Sequence, residues 1–500
     1  MESARQNNGE FLHDRVQALV RGLIEDGTLG PGDRVPSLRG LAGRLEVSLS
    51  TVTRAYTALE EEGWIESRPQ SGFYVRTPRG PSVEPPRTRS PARSAGRQDL
   101  LALLRDLLAA DSGSADTVTL SLALPAPGLL PVQPLERATA RALRRAPRMA
   151  AQYAPPGGIE ALRRQIAYRA VDAGHRVHPD EVLITSGCAE GLAIALRASL
   201  TAGARVAVES PTFFNILTLI ETLGMEAREV PADGTTGMDL DALEAELAAG
   251  RVDGVVTVAN FNNPLGSLMP DAAKERLAGL AERYAVPVIE DDLYGELYFG
   301  ARRPPTVRAF DRDGRVLTVS SFSKTIAPGY RVGWLLAGRH NERARTIKHA
   351  TSMSSATLTQ MGIAEFLEHG AYDRHLNRIR RAHRANVARM RAGIAAHFPP
   401  GTRVSDPAGG FVLWVELPRG IDGVEVYQRA LAAGIRVAPG VLFSTTPEYA
   451  GYLRLSSGGG RDHRVDWALR RLGAIVTRMA SGPGAGAGRA NPGQAGSMPE

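Results

Sequence analysis

The stretch SFSKTIAPGYRVGW, residues 321–334, contains Lys324, one of only three lysines in 500 residues; the others are Lys274 and Lys348. A lysine amine condenses with an aldehyde to a Schiff base, which arginine, protonated at every physiological pH, cannot do. Around Lys324 stand Ser321, Ser323 and Arg331, hydroxyls and a guanidinium of the kind that anchor a phosphate. Upstream, IEDDLYGEL carries Asp291 and Tyr294, and FNNPLG carries Asn263. A carboxylate beside a pyridine nitrogen keeps that nitrogen protonated as an electron sink, and amide and phenol donors suit a ring phenolate oxygen. TSGCAEGL, residues 185–192, runs from a strand end into a helix start, a ready phosphate seat. Each piece alone also reads as a solvated loop, a turn or a charged helix start. Together, in this order and at strand ends, they point to pyridoxal 5′-phosphate (PLP).

The elements that must position these residues are visible as a pattern. From about 181 to 337, the apolar runs EVLITSG, RVAVES, GVVTVAN, VPVIEDD, RVLTVSS and GWLLAG alternate with helical segments such as AEGLAIALRASL and DAAKERLAGLAERY. This alternation predicts an α/β unit with a mostly parallel sheet covered on both faces. In such sheets ligands gather outside the carboxyl ends of the strands. Beyond about 358 come long amphipathic helices with Arg-rich exposed faces, then GGFVLWVELP, a helix over 423–433, YLRLSS and a last helix. These predict a smaller α/β lobe.

The first 77 residues form a separate unit. A helix over about 10–25 is followed by a short helix after Pro36 and Ser37, a turn at Glu46 and Val47, and a third helix capped by Ser48. The third helix puts Val52, Ala55, Tyr56 and Leu59 inward and places hydroxyls and Arg54 on other faces. WIESR and FYVRT flank the turn PQSG as a β-wing. This is the layout of a winged helix-turn-helix, whose second motif helix lies in the major groove. The residues placed toward DNA are Arg39, Ser48, Ser50, Thr51, Thr53, Arg54 and Gly72.

Bulk numbers set bounds and no more. The net charge of +7 permits nucleic-acid binding, but residues 1–77 hold nine Arg against eleven Asp plus Glu, so pattern rather than charge carries the DNA reading. Residues 78–98, with five Pro and five Arg, read as a semi-extended, self-repelling linker; 99–480 form the large unit, and 481–500, rich in Gly, Ala and Pro, a disordered tail. The scarcity of lysine beside abundant Ala, Arg and Gly fits a GC-rich genome. Cys188 is the only cysteine, which excludes an intrachain disulfide and a Cys-rich metal site and suits a reducing cytoplasm. No metal, signal peptide or membrane span is expected.

Two resemblances sharpen these expectations. Pro36, Ser37, Arg39, Leu41, Ala42, Val47, Ser48, Thr51, Val52, Ala55, Tyr56, Leu59, Glu62, Gly63 and Gly72 resemble the GntR family of bacterial regulators, except that Leu49 stands where the family usually has Arg. Residues 120–478 resemble fold-type I aminotransferases. That resemblance assigns Lys324 to the Schiff base, Asp291 to the pyridine nitrogen, Asn263 and Tyr294 to the phenolate oxygen, and Ser321, Ser323 and Arg331 to the phosphate. It also implies that Phe213 stacks on the ring, that Tyr153 lies near a cofactor across a dimer, and that Arg454 pairs with an effector or substrate carboxylate. Cys188 and Ala189 depart from the usual residues of the phosphate turn, and Asp292 is expected as a solvated or helix-capping carboxylate. The combination is similar to the MocR subfamily. It implies a PLP-binding transcriptional regulator that reads double-stranded operator DNA as a head-to-tail homodimer, under control of PLP or an amino-compound effector. The rival expectation is an aminotransferase with an accessory winged helix, and residual turnover is compatible with either.

Overall fold

The structure is a computed structural model, and it describes residues 12–25, 28–30, 32–62, 64–68, 71–76, 83–88, 117–369, 371–459 and 463–481. The expected tail beyond Ser481 and most of the expected linker lie outside these residues. The chain divides after Ser82 into two compact units.

In the first unit, α1 (Leu12–Glu25), α2 (Leu38–Leu45) and α3 (Leu49–Glu61) precede the antiparallel pair β1 (Ile65–Arg68) and β2 (Gly72–Val75). The caps explain the turn between α2 and α3. Ser37 Oγ accepts from Gly40 N at 3.1 Å to start α2, and Glu46 ends it in the left-handed region at φ 53°. Ser48 Oγ then accepts from Thr51 N at 3.1 Å to start α3. Val52, Ala55, Tyr56 and Leu59 pack inward on Val16, Val20, Leu41 and the wing residues Ile65 and Val75. The buried Tyr56 hydroxyl donates to Pro36 O at 2.7 Å, tying α3 to the entry of α2.

The second unit is built on an eight-stranded sheet. Its strands are β3 (Val182–Thr185), β4 (Arg205–Ser210), β5 (Glu226–Asp233), β6 (Gly237–Met238), β7 (Gly254–Thr257), β8 (Val288–Asp291), β9 (Val316–Ser321) and β10 (Gly333–Leu336). The order across the sheet is β3-β10-β9-β8-β7-β4-β5-β6. β10 runs antiparallel to both of its neighbours, and β6 runs antiparallel to β5; the other pairings are parallel. The parallel strands β4, β7 and β8 and their neighbour β9 are buried nearly throughout, which is why they read as unbroken apolar runs. The end of β8 and the turn after β9 deliver Asp291 and Lys324 to the same edge.

A smaller lobe follows a long helix. Its antiparallel sheet is formed by β11 (Arg403–Val404), β12 (Val412–Glu416), β13 (Ala438–Pro439) and β14 (Tyr452–Ser456), in the order β11-β12-β14-β13. Its core gathers Trp414, Phe443, Tyr449 and Tyr452, with the Trp414 and Tyr452 rings stacked at 5.2 Å.

One part of the expected linker is not free. Residues 83–88 lie along the small lobe: Val404 N donates to Glu84 O at 3.0 Å, Arg403 pairs with Glu84 at 2.5 Å, and Arg87 N donates to Glu416 Oε2 at 2.9 Å. Val83 packs on the small-lobe core. Thr88 Oγ1 then reaches Asp233 Oδ2 of β5, in the large sheet, at 3.1 Å. Self-repulsion of the arginines does not hold this stretch away, because the acids Glu84 and Glu416 and the backbone groups of β11 supply partners for it.

Candidate cofactor site and nucleic-acid interface

The pocket forms where three strand ends and the small lobe meet. β3 ends at Thr185, and α4 (Cys188–Ser199) begins after Gly187, whose φ is +87°. Arg331, also left-handed at φ 53°, donates to Ser186 O at 2.9 Å. Ser321 and Ser323 are buried beside it, and Ser321 Oγ accepts from Ser323 N at 3.3 Å, which closes the turn that carries Lys324. The helix start, the two hydroxyls and the guanidinium thus gather at one end of the sheet.

Asp291, at the end of β8, is buried. Its Oδ1 accepts from Cys188 Sγ at 3.1 Å and from Leu293 N at 3.2 Å. Burial pushes its carboxyl up to about 6, against the pull of these donors. Cys188, one of the two departures from the usual phosphate turn, is therefore a partner of Asp291, and burial raises its own thiol. Phe213 packs in the same apolar cluster as Cys188.

Lys324 Nζ donates to Ala123 O at 2.7 Å. Burial, with the nearby charge of Arg454 and more weakly of Arg331, lowers its amine to about 8, while Asp291 and Cys188 pull the other way. An ordinary lysine titrates near ~10.4. The sign is simple: only the neutral amine is a nucleophile, so lowering the pKa puts reactive amine within reach of neutral pH. Reductive methylation of the cofactor-free protein, read at the Lys324 peptide by mass spectrometry, is expected to reach half its maximal rate near pH 8. A midpoint near that of free lysine would remove burial and Arg454 as causes.

Arg454 lies on β14 and is almost fully buried, at 1% exposure. It donates to Asn263 Oδ1 at 3.3 Å and to Ser121 O, and burial pushes it down to about 10. Its Nε has no partner among the described residues. Tyr294, buried, lies close enough for the Arg454 charge to act on it, although burial raises its hydroxyl overall.

The structure therefore brings together Lys324, Asp291, Cys188, Arg331, Ser321, Ser323, Asn263, Tyr294 and Arg454, with Phe213 alongside. Two further expected residues have exposed side chains. Tyr153 is 79% exposed, and the Ala189 side chain is exposed on the first turn of α4. Asp292 corrects the expectation of a solvated carboxylate. It is buried, pairs with Arg303 and accepts from Asn260 Nδ2 at 2.8 Å; Asn260 Oδ1 in turn accepts from the buried Lys274 at 2.8 Å.

Sequence reasoning also missed three supports. The carbonyls of Ser121 and Ala123 hold Arg454 and Lys324, and backbone carbonyls leave no side-chain signal. Glu190 accepts from Ser186 N at 2.5 Å and from the buried Lys348 at 2.7 Å, fixing the turn between β3 and α4. Glu190 is an acid in the first turn of α4, where negative charge suits the helix start, and that signal was available.

Two observations test whether PLP fits these residues. A Cβ on Gly187 would stand 2.5 Å from the Arg331 guanidinium, so the turn accepts only glycine while the arginine faces the helix start. The orphaned Nε of Arg454 is a buried cation with donor capacity left over, as a carboxylate site requires. The residues fit. Bound here, PLP would supply an electron sink, with Asp291 at its ring nitrogen and Lys324 at its aldehyde.

On the first unit, Arg39, Ser48, Ser50, Thr53 and Arg54 are exposed and Thr51 partly so. Ser48 Oγ lies 2.8 Å from Ser50 Oγ and 2.7 Å from Thr51 Oγ1, so the start of α3 is a cluster of hydroxyls. Thr53 Oγ1 is committed to Leu49 O at 2.9 Å. Gly72, at φ +101°, opens the wing strand next to Arg34, whose guanidinium would lie 3.5 Å from an added Cβ.

A capped, hydroxyl-rich helix with a β-wing, joined to this pocket on a doubly covered sheet, defines a winged helix-turn-helix fused to a fold-type I, PLP-dependent unit. Residues 12–75 match the bacterial regulatory proteins of the gntR family, and residues 127–472 match aminotransferase class I and II. The chain belongs to the GntR-family regulators that carry an aminotransferase class I/II domain, the combination of the MocR subfamily. The uncharacterised HTH-type transcriptional regulator YjiR of Escherichia coli K12 is 36% identical over 93% of this chain and 99% of its own length. YdcR of the same organism, named likewise, is 35% identical over 93% and 98%. The solved structure of LysN, an α-aminoadipate aminotransferase of Thermus thermophilus complexed with N-(5′-phosphopyridoxyl)-L-leucine, matches at a TM-score of 0.69 and 32% identity, over 75% of this chain and 94% of that one.

Proposed function

We propose that this protein is a PLP-binding transcriptional regulator whose affinity for operator DNA is set by PLP or by an amino-compound at the Lys324–Arg454 pocket. The observation that carries the reading is the strap at residues 83–88. The chain leaving the DNA reader is hydrogen bonded to the small lobe through Glu84 and Arg87 and to the large sheet through Thr88. Arg454 sits on the small-lobe sheet, while Lys324 and Asp291 sit on the large one. A ligand that engages both sets of residues favours one lobe arrangement, and the strap passes that preference to the reader. A ligand shifts such an equilibrium only by its differential affinity for the two arrangements. In this reading the protein is a head-to-tail dimer, and Tyr153, exposed on its own subunit, completes the pocket of the other.

The test is DNA binding to the protein's own upstream region, with and without PLP and amino-compounds. A change of about 5- to 150-fold is the range expected of a coupled pair of sites. Glu84→Arg, which sets like charges against Arg403, is expected to keep PLP and DNA binding but lose the response. A response that survives Glu84→Arg would remove the strap from the mechanism. The enzyme reading draws on one observation, the buried Asp291, which a pure sensor has no need to retain. Steady conversion of amino donor to keto acid, with DNA binding that ignores every ligand, would establish it instead.

A further inference from the structure

The helix α5 (Ala371–His397), which precedes the small lobe, carries seven arginines and no acidic residue after Asp373. Four of the seven are committed. Arg378 donates to Leu129 O at 2.8 Å, Arg389 pairs with Asp466 at 3.1 Å, and Arg391 pairs with Asp406 at 3.0 Å. Arg380 donates to Glu296 O at 2.7 Å and lies 3.9 Å over the Tyr298 ring. Arg374, Arg381 and Arg384 have no carboxylate or hydrogen-bond partner among the described residues. They recur at helical spacing and line, with Arg380, Tyr298 and Phe299, a crevice of about 660 Å³.

Some helix arginines elsewhere in this chain carry their own counter-charge. Arg164 pairs with Glu160 and Arg429 with Glu425, each a carboxylate one helical turn away. In the crevice that compensation is missing, and no acid lines it among the described residues. Four like charges converging on a concavity repel one another, which an anion relieves. Guanidinium forks match phosphate oxygens two at a time, and the volume falls within the ~300–1,000 Å³ of small-molecule sites.

We propose that this crevice is a second ligand site, distinct from the Lys324 pocket, which takes a small anion bearing two or more phosphate groups. None of its residues belongs to the pocket described above, so its fate is independent of the regulatory reading.

The test uses the full, PLP-loaded chain, in which the phosphate seat at Arg331 is filled, titrated calorimetrically with inorganic tripolyphosphate at physiological salt. One tight site per chain is expected. Arg381→Ala/Arg384→Ala is expected to weaken it at least tenfold while leaving the visible PLP band unchanged, which controls for folding. Arg39→Ala/Arg54→Ala, on the DNA reader, is expected to leave it as it was. Tripolyphosphate binding that ignores the α5 pair, or no binding below millimolar concentration, overturns the proposal. So does loss of duplex DNA affinity in the α5 pair with no tripolyphosphate site, since the face would then belong to DNA.

Discussion

Lys324→Ala is expected to abolish the visible band of the PLP-loaded protein, near ~420 nm for a protonated lysine-bound cofactor, and with it the ligand response of DNA binding. The effect is all or none, because no other amine can substitute. Lys274 is fully buried against Asn260, and Lys348 is fully buried against Glu190. Lys324→Arg is the informative companion. It keeps a cation near Asp291 and Ala123 O but cannot form an imine, so a variant that regains the response without the band would show that charge alone suffices. A band that persists in Lys324→Ala would place the reactive amine elsewhere and sink the assignment of the pocket.

Asp292→Ala is expected to cost about 3–5 kcal/mol of stability, the loss typical when one partner of a buried ion pair is removed. Side-chain exposure is 3% for Asp292 and 11% for Arg303, so the orphaned guanidinium has little water to turn to. The loss also unties Asn260, whose amide links Asp292 to Lys274. Urea unfolding of the variant measures this. Asp292→Ala/Arg303→Leu is expected to recover much of the deficit, because removing both charges removes the desolvation penalty with the attraction. If Asp292→Ala behaves as a surface substitution, within about 0.5 kcal/mol, the pair is not a structural tie.

The contrast between Asp291 and Asp292 shows where sequence reading runs out. Two identical neighbouring residues have different surroundings because one ends β8 beside Cys188 and the other meets Arg303 from a loop eleven positions on. Nothing in local pattern announces that partner. β5 escaped notice for a related reason. Its residues EAREVPAD alternate in burial at one side of the sheet and lack the continuous apolar run of β4 or β9. What was readable were the features with a local cause: buried parallel strands, the Ser48 cap, and the grouping of Lys324 with hydroxyls and Arg331. The strap was not readable, since its small-lobe anchors lie more than three hundred residues away in sequence, at Arg403, Val404 and Glu416.

The burial of Lys274 and Lys348 has a consequence for cellular chemistry. Acyl donors such as acyl thioesters and acyl phosphates modify accessible lysine amines, and on this chain Lys324 is the one lysine not fully shut away. Its lowered pKa also raises the share of neutral, nucleophilic amine it carries at neutral pH. Occupancy of the pocket by the cofactor therefore shields the single address at which lysine acylation could silence the protein.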